Sequence, residues 1–211
     1  MKFKIGSVLC ALSALVLIGC QGESTAESKK KATVKQCFYS YSSGSSVLEW
    51  TAFKFTEKTP VKGTFNTIDI EGLETSDDPK KLIESLSFEI ATESVETQNP
   101  ERNGKIAELF FGTIATPVIN GKVRSLSNNG KATIEISMNN LKQDVVGDYT
   151  LDGSKFSFNA VIDVLKWNAG KGIETLNTAC KDLHTGTDGK SKLWSEVELS
   201  FTTELSSDCN D

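Results

Sequence analysis

Apolar and polar side chains alternate with a period of two over five stretches of the chain, the pattern of strands that bury one face and wet the other. Leu48, Trp50 and Ala52 fall on one side, Glu49 and Thr51 on the other. Leu86, Phe88 and Ile90 alternate with Ser87 and Glu89, and Ile134, Ile136 and Met138 with Thr133, Glu135 and Ser137. Phe156, Phe158, Ala160 and Ile162 repeat the pattern, as do Val197, Leu199, Phe201 and Thr203 against Glu196, Glu198 and Ser200. Turn signals stand between them at Asn120-Gly121, Asn129-Gly130 and Asp152-Gly153. The joins at 129 and 152 predict tight hairpins, and short joins make sequential strands antiparallel neighbours in a meander. About eight strands follow, over 36–41, 46–55, 62–70, 82–92, 117–126, 131–139, 144–151 joined to 154–164, and 192–205. The predicted class is all-β, and eight antiparallel strands can close into a barrel whose interior fits side chains or one slender ligand.

One stretch breaks the alternation. In ETQNPERNGKIAELFFG, from Glu96 to Gly112, Asn99 suits an N-cap, Pro100 the first helical position and Glu101 the positive helix end, while Gly112 can take a left-handed stop. Ile106, Leu109 and Phe110 share one face at helical spacing. The open end of the barrel is the apolar place for that stripe, so the helix reads as a lid. Phe110 and Phe111 would equally serve as core filler where the chain turns back into the sheet. From Lys166 to Gly186, Ile173, Leu176 and Cys180 recur at three- and four-residue spacing and predict a second short helix, supporting the barrel rim.

The front of the chain is of another kind. MKFKIGSVLCALSALVLIGC carries Lys2 and Lys4 and then an apolar run too short to span a bilayer as a permanent helix, which marks an export signal over residues 1–19. Leu17-Ile18-Gly19-Cys20 resembles a bacterial lipobox, with Cys20 as the thiol that accepts lipid. The following QGESTAESKKKAT has no aromatic or branched aliphatic residue to bury, so residues 20–33 read as a lipidated cysteine and a flexible tether. Such a tether reaches at most roughly 45 Å. Residues 34–211 fit one domain large enough for a full core.

Loss of Lys2 and Lys4 with the signal takes the net charge from −5 to −7. A chain of this sign has no electrostatic footprint for nucleic acid, and its attachment to a membrane is expected through lipid on Cys20. No G-x-S-x-G, H-E-x-x-H or phosphate-loop motif occurs; Gly186-Thr187-Asp188-Gly189-Lys190-Ser191 ends like a phosphate loop, but His184 stands where the first glycine belongs. With one histidine and no activated nucleophile, no enzyme, metal or cofactor is expected. Cys37, Cys180 and Cys209 remain for an oxidising compartment. Cys37 and Cys180 both lie beside core-type residues and are the expected disulfide, with Cys37 to Cys209 as the rival if the first and last strands are neighbours.

SLSFEIATESVETQNPERNGKIAELFFG, from Ser85 to Gly112, resembles the signature block of the YceI-like proteins: an alternating strand, Ser-Val-x-Thr, Asn, Glu-Arg, and a short helix ending in Phe-Phe. The likeness runs through Phe88, Ile90, Thr92, Ser94, Val95, Thr97, Asn99, Glu101, Arg102, Phe110 and Phe111, and Leu48 to Ala52 and Gly63-Thr64-Phe65 resemble the family's first long strand and its turn back. Asn103 and Lys105 depart from the Asp and His that the family often has there. The resemblance implies a lipocalin-like, eight-stranded barrel that holds a long polyisoprenoid or isoprenoid quinone in the bacterial envelope, for sequestration or transport. The expected cavity residues are Leu48, Trp50, Phe65, Leu86, Phe88, Ile90, Phe110, Phe111, Ile134, Ile136, Phe156, Phe158, Leu199 and Phe201. The alternation alone would serve a packed core as well as a hollow one, so the hollow reading comes from the resemblance. The competing expectation is a ligand-free interaction module on the envelope. Gln21 after Cys20 is no clear inner-membrane retention signal, which favours the outer membrane.

Overall fold

A computed structural model describes residues 35–210. The export signal, Cys20 and the tether lie outside the described residues. Period-two alternation builds twelve strands: β1 (Gln36–Ser40), β2 (Val47–Lys54), β3 (Thr59–Phe65), β4 (Ile68–Glu71), β5 (Ser87–Ala91), β6 (Val95–Glu96), β7 (Val118–Leu126), β8 (Lys131–Met138), β9 (Leu141–Asp152), β10 (Lys155–Asp163), β11 (Leu193–Glu204) and β12 (Ser206–Asn210). Ten of them form one antiparallel sheet in the order β4-β5-β7-β8-β9-β10-β11-β2-β3-β6, strongly curled into a half-barrel. The curl puts the apolar face inside: along β8, Ala132, Ile134, Ile136 and Met138 are buried at every second position.

The expected count of eight is corrected in three ways: β1 leaves the sheet, the expected stretch 144–164 forms two strands, β9 and β10, and two bends add β4 and β6, giving ten. The chain bends at Asn66-Thr67, dividing the expected strand 62–70 into β3 and β4, and a 3₁₀ turn at Thr92–Ser94 divides β5 from β6. The bends hold one another: Asn66 N donates to Ser94 O at 2.9 Å, Thr67 N to Ser94 Oγ at 3.0 Å, and Ala91 N to Thr67 O at 3.2 Å. Residues 82–84, read as the start of a strand, belong instead to α1 (Pro79–Glu84), which Asp78 caps by accepting from Lys80 N at 2.9 Å. The chain also leaves the sheet at its ends, where β1 and β12 pair as a separate two-stranded ribbon.

That ribbon corrects the expected Cys37–Cys180 disulfide. Cys37 and Cys209 face each other in register, with Cα atoms 3.9 Å apart, and they form the disulfide. Cys180 is a buried free thiol. The tail SSDCND is polar throughout and gives no alternation to read, yet the backbone of Ser206–Asn210 pairs with β1 residue by residue.

Gly130 (φ +78°) and Gly153 (φ +57°) make the two tight turns expected at 129 and 152. A third, between β8 and β9, is made by Asn139 (φ 49°) and Asn140 (φ 58°), asparagine being among the side chains that tolerate the left-handed region. Asn120-Gly121 is no turn; it lies inside β7. The helices divide between the two ends. α1 sits where β7 finishes, with Leu126 N donating to Glu84 Oε1 at 2.8 Å. At the other end lie α2 (Pro100–Lys105), running on as a π-helix over Ile106–Gly112, then α3 (Gly170–Ala179) and α4 (Lys181–His184). Asn139, at the end of β8, ties into this group: its N donates to Thr116 Oγ1 at 2.9 Å and its Nδ2 to Trp167 O at 2.8 Å.

A non-reducing peptide map is expected to return Cys37 joined to Cys209, with Cys180 alkylated alone and only after unfolding. Cys209→Ser should lower stability by about 2–5 kcal/mol, because the bridge closes nearly the whole domain. A Cys180 cross-link in the map would contradict the pairing.

Candidate ligand cavity

The inner face of the half-barrel surrounds a cavity of about 260 Å³. All fourteen residues expected inside line it: Leu48, Trp50, Phe65, Leu86, Phe88, Ile90, Phe110, Phe111, Ile134, Ile136, Phe156, Phe158, Leu199 and Phe201. Among the described residues no charged side chain joins them. The indole N–H groups are turned to backbone oxygens: Trp50 Nε1 donates to Thr64 O at 3.3 Å and Trp194 Nε1 to Phe55 O at 2.7 Å. Water entering such a space finds no partners, whereas hydrocarbon loses nothing there.

Three glycines shape the wall. Gly63 is the cross-strand partner of Trp50, and Gly121 of Phe88, while Gly147 on β9 sits beneath Phe158. A Cβ on these residues would come within 2.3, 2.1 and 2.5 Å of the respective rings. It would also come within 2.8 Å of Glu96 O, 2.7 Å of Glu135 O and 2.4 Å of Asn159 O, so side-chain movement alone would not relieve the clash. The rings therefore occupy space that a side chain at each glycine would fill.

The lid starts as the sequence predicts and ends otherwise. Asn99 accepts from Arg102 N at 2.9 Å and Pro100 takes the first turn. Gly112 does not supply the left-handed stop; the positive φ falls at Ala115 (48°). The reason is the π-helix, whose i→i+5 bonds widen the turn beyond four residues. On that period Phe110 and Phe111 both share a face with Ile106, and these three line the cavity while Leu109 does not. A ring series runs from wall to lid, with centroids 6.5 Å apart for Trp50 and Phe65, 6.1 Å for Phe65 and Phe111, and 5.0 Å for Phe111 and Phe110.

Asn103, where relatives of the resembled type often carry Asp, fastens the lid. Its Oδ1 accepts from Thr97 N at 2.9 Å and Thr97 Oγ1 at 2.6 Å, and its Nδ2 donates to Glu96 Oε2 at 3.1 Å. An aspartate could not donate to that carboxylate. The Glu96 carboxyl is held below its ordinary range by the Gln98 N–H and by Asn103.

The second helical segment is more than rim support. Ile173 and Leu176 of α3 line the cavity, and buried Gly172 lets α3 approach the lid, for its Cβ would meet Phe110 Cδ2 at 2.8 Å. Sequence reasoning also missed Phe53, Ile119, Val123, Leu193 and Trp194 as lining residues. Phe53 falls on the outer parity, but β11 bulges there, setting 194–196 against the single residue between Lys54 and Ala52. Ile119 and Val123 do alternate, around Gly121, and were hidden because Asn120-Gly121 reads as a turn.

His184 has no metal-binding neighbours: the described residues contain no group of three ligating side chains. Its Nδ1 lies 3.1 Å from Asn177 Oδ1. Burial, and then the charges of Lys54 and Lys105, push its pKa down to about 4.

A model of the YceI-like domain matches residues 39–205 of the chain. Among solved structures the chain is similar to a polyisoprenoid binding domain from Saccharophagus degradans implicated in plant cell wall breakdown. The identity is 13%, the TM-score 0.58, and the likeness covers 83% of this chain and 100% of that one. It is also similar to Burkholderia cenocepacia BcnA, at 18% identity and a TM-score of 0.52, over 77% of this chain and 96% of that one. At such identities the likeness is one of fold. Comparison with curated proteins finds no match.

Gly147→Ala should lower stability by about 1–3 kcal/mol, the usual range for an overfilled site, measured by urea unfolding. An unchanged midpoint would mean that the Phe158 ring does not need the glycine. Because the folded state resists protonating His184, stability should fall as pH drops from 6.5 towards about 4. The carboxylates held low by their partners add their own loss only around and below 4.5. His184→Asn should therefore flatten the upper part of the window, and an unaltered slope there would count against a neutral His184.

Proposed function

The chain belongs to the YceI-like family, and on that premise we propose that it is an envelope lipoprotein that carries one long apolar lipid, a polyisoprenoid or isoprenoid quinone. The observation that carries this reading is the cavity: unfilled, lined by hydrocarbon and aromatic rings, with the indole N–H groups directed away. Burial is worth about 0.8 kcal/mol per CH₂, so each five-carbon unit offers several kcal/mol before the loss of ligand freedom is counted. The Saccharophagus domain, described as polyisoprenoid binding, is consistent with such a ligand. The lipocalin-like manner of use, one ligand withdrawn from water inside a curled sheet, asks for no covalent step. The competing reading, a packed interaction module, is disfavoured by the open lumen.

Lipid on Cys20 and the tether of residues 20–33 would hold the carrier beside a bilayer, the outer membrane being favoured by Gln21. This supplies a short route from membrane to lumen. Sequestration and transport differ only in where the ligand leaves.

Organic extraction of the full lipoprotein, followed by mass spectrometry, is expected to yield one stoichiometric apolar compound; repeated extracts without any would overturn the proposal. Phe88→Asp or Phe158→Asp should abolish retention in protein that keeps its strand signal by circular dichroism. Glu49→Lys, on the outer face, should leave retention unchanged, and equal losses from both faces would contradict the carrier reading.

A further inference from the structure

The lumen changes character at the lid end. There its lining consists of Phe53 near the end of β2, Leu193 and Trp194 at the start of β11, and Ile106 and Leu176 on the helices across from them. Beyond this apolar margin stand four lysines. Lys192 Nζ lies 3.4 Å and Lys58 Nζ 4.4 Å from the Trp194 ring centroid, and Lys54 Nζ lies 4.5 Å from that of Phe55 while donating to Leu183 O at 3.2 Å. Lys105 adjoins Ile106 on the lid. Placing Trp194 among cations is the work of the β11 bulge, since bulges re-aim side chains.

The charges are not balanced one for one. Lys58 pairs with Glu196, and Lys105 with Glu101 at 2.6 Å. The carboxylates of the adjoining turns have polar partners of their own: Asp188 accepts from Thr56 Oγ1 at 2.7 Å and from Lys190 N at 3.0 Å, and Glu57 from Thr187 Oγ1 at 3.4 Å. Among the described residues neither Lys54 nor Lys192 has a carboxylate partner, although both are half-buried. The rings and the Leu183 carbonyl hold these two ammonium groups in place beside an oily lumen while leaving their charge without a counter-ion, which an anion can supply.

We propose that the lid end of the cavity carries a subsite for an anionic oxygen head group, such as a phosphate ester, that Lys54 and Lys192 hold while Trp194 packs against the first carbons of the chain. The inference rests on the carrier reading and narrows its ligand class to a lipid with a charged end. It also fixes polarity: the chain's far end points towards α1 and its head towards the lid. The two unpaired ammonium groups act as point charges, which suits a phosphate approached from either side.

Calorimetry on the full chain, with its native contents exchanged out, should compare geranylgeranyl phosphate with geranylgeraniol, which differ only at the head. The phosphate is expected to bind at least about tenfold tighter, the scale of one charge-assisted hydrogen bond, with the ratio shrinking as salt rises. In the Lys54→Gln, Lys192→Gln double variant the ratio should fall towards one. Lys62→Gln, which removes an outer-face partner of Glu49, should leave it unchanged. His184 is the sole histidine of the chain, and its imidazole proton signals report on the same place. An anion offsetting Lys54 and Lys105 should move its titration upward with the phosphate and not with the alcohol. Equal affinity for the two lipids in the unaltered protein, at any salt, would overturn the head-group inference and leave the carrier reading standing. Inorganic phosphate binding as tightly as the phosphorylated chain would overturn it too, in favour of a free-anion site. Failure of both lipids to bind would overturn both readings together.

Discussion

The structure depends on tolerating an interior that its own side chains do not fill. An apolar cavity that side chains leave unfilled forfeits the dispersion contacts a packed core would make. A chain that carries such a cavity needs a wall whose integrity does not depend on what it encloses. Ten strands paired antiparallel provide one, because the backbone bonds run round the wall and not through the lumen. Where the wall has to turn sharply, the paired bends at Asn66-Thr67 and Thr92–Ser94 bond to each other instead of exposing unpaired groups.

Keeping the lumen clear of side chains also constrains residues that look unimportant in isolation. Phe88 and Trp50 are large enough to block it, and they do not, because glycine stands opposite each of them. The pairing of a ring with a bare backbone turns bulk into lining. The same device recurs at the lid, where Gly172 admits the Phe110 side chain between two helices. Asn103 shows the complementary constraint on polar groups. Next to the Glu96 carboxylate a donor is required, and the amide supplies it while still accepting from Thr97.

Face assignment was legible in the sequence because period two is a local property: knowing that Phe156 points inward fixes Phe158 and Ala160 without knowledge of the partner strand. It was less legible wherever the backbone departed from that period. The β11 bulge brought Phe53 to the wrong parity and Trp194 to the cavity. The π-helix exchanged Leu109 for Phe111 on the lid's inner face, a change of hydrogen-bond period that no side-chain pattern announced. The Cys37–Cys209 ribbon was hidden for a different reason, since a strand wet on both faces has no alternation, and its pairing is written only in the backbone. The start of the lid was more legible than its end. Asn99-Pro100 is a chemical signal within two residues, whereas the stop passed over Gly112 to Ala115 because the widened helix kept its bonds.

Entry to such a lumen is restricted by the same bonding that keeps it open. Separating two neighbouring strands would strip each of a row of backbone bonds, and the freed donors and acceptors would face hydrocarbon. A helix keeps its backbone bonds within itself, so displacing the segment 100–112 breaks side-chain contacts but leaves the peptide groups paired. Those side-chain contacts are of two kinds. The rings of Phe110 and Phe111 lose partners that a bound hydrocarbon chain can replace, while the Asn103 bonds to Thr97 and Glu96 anchor the helix at its start. On the carrier reading proposed above, the energetic asymmetry between a wall that cannot part and a cap that can would make the lid end the passage for an apolar chain. It follows that the part of a ligand left nearest the surface is the part that meets the lid.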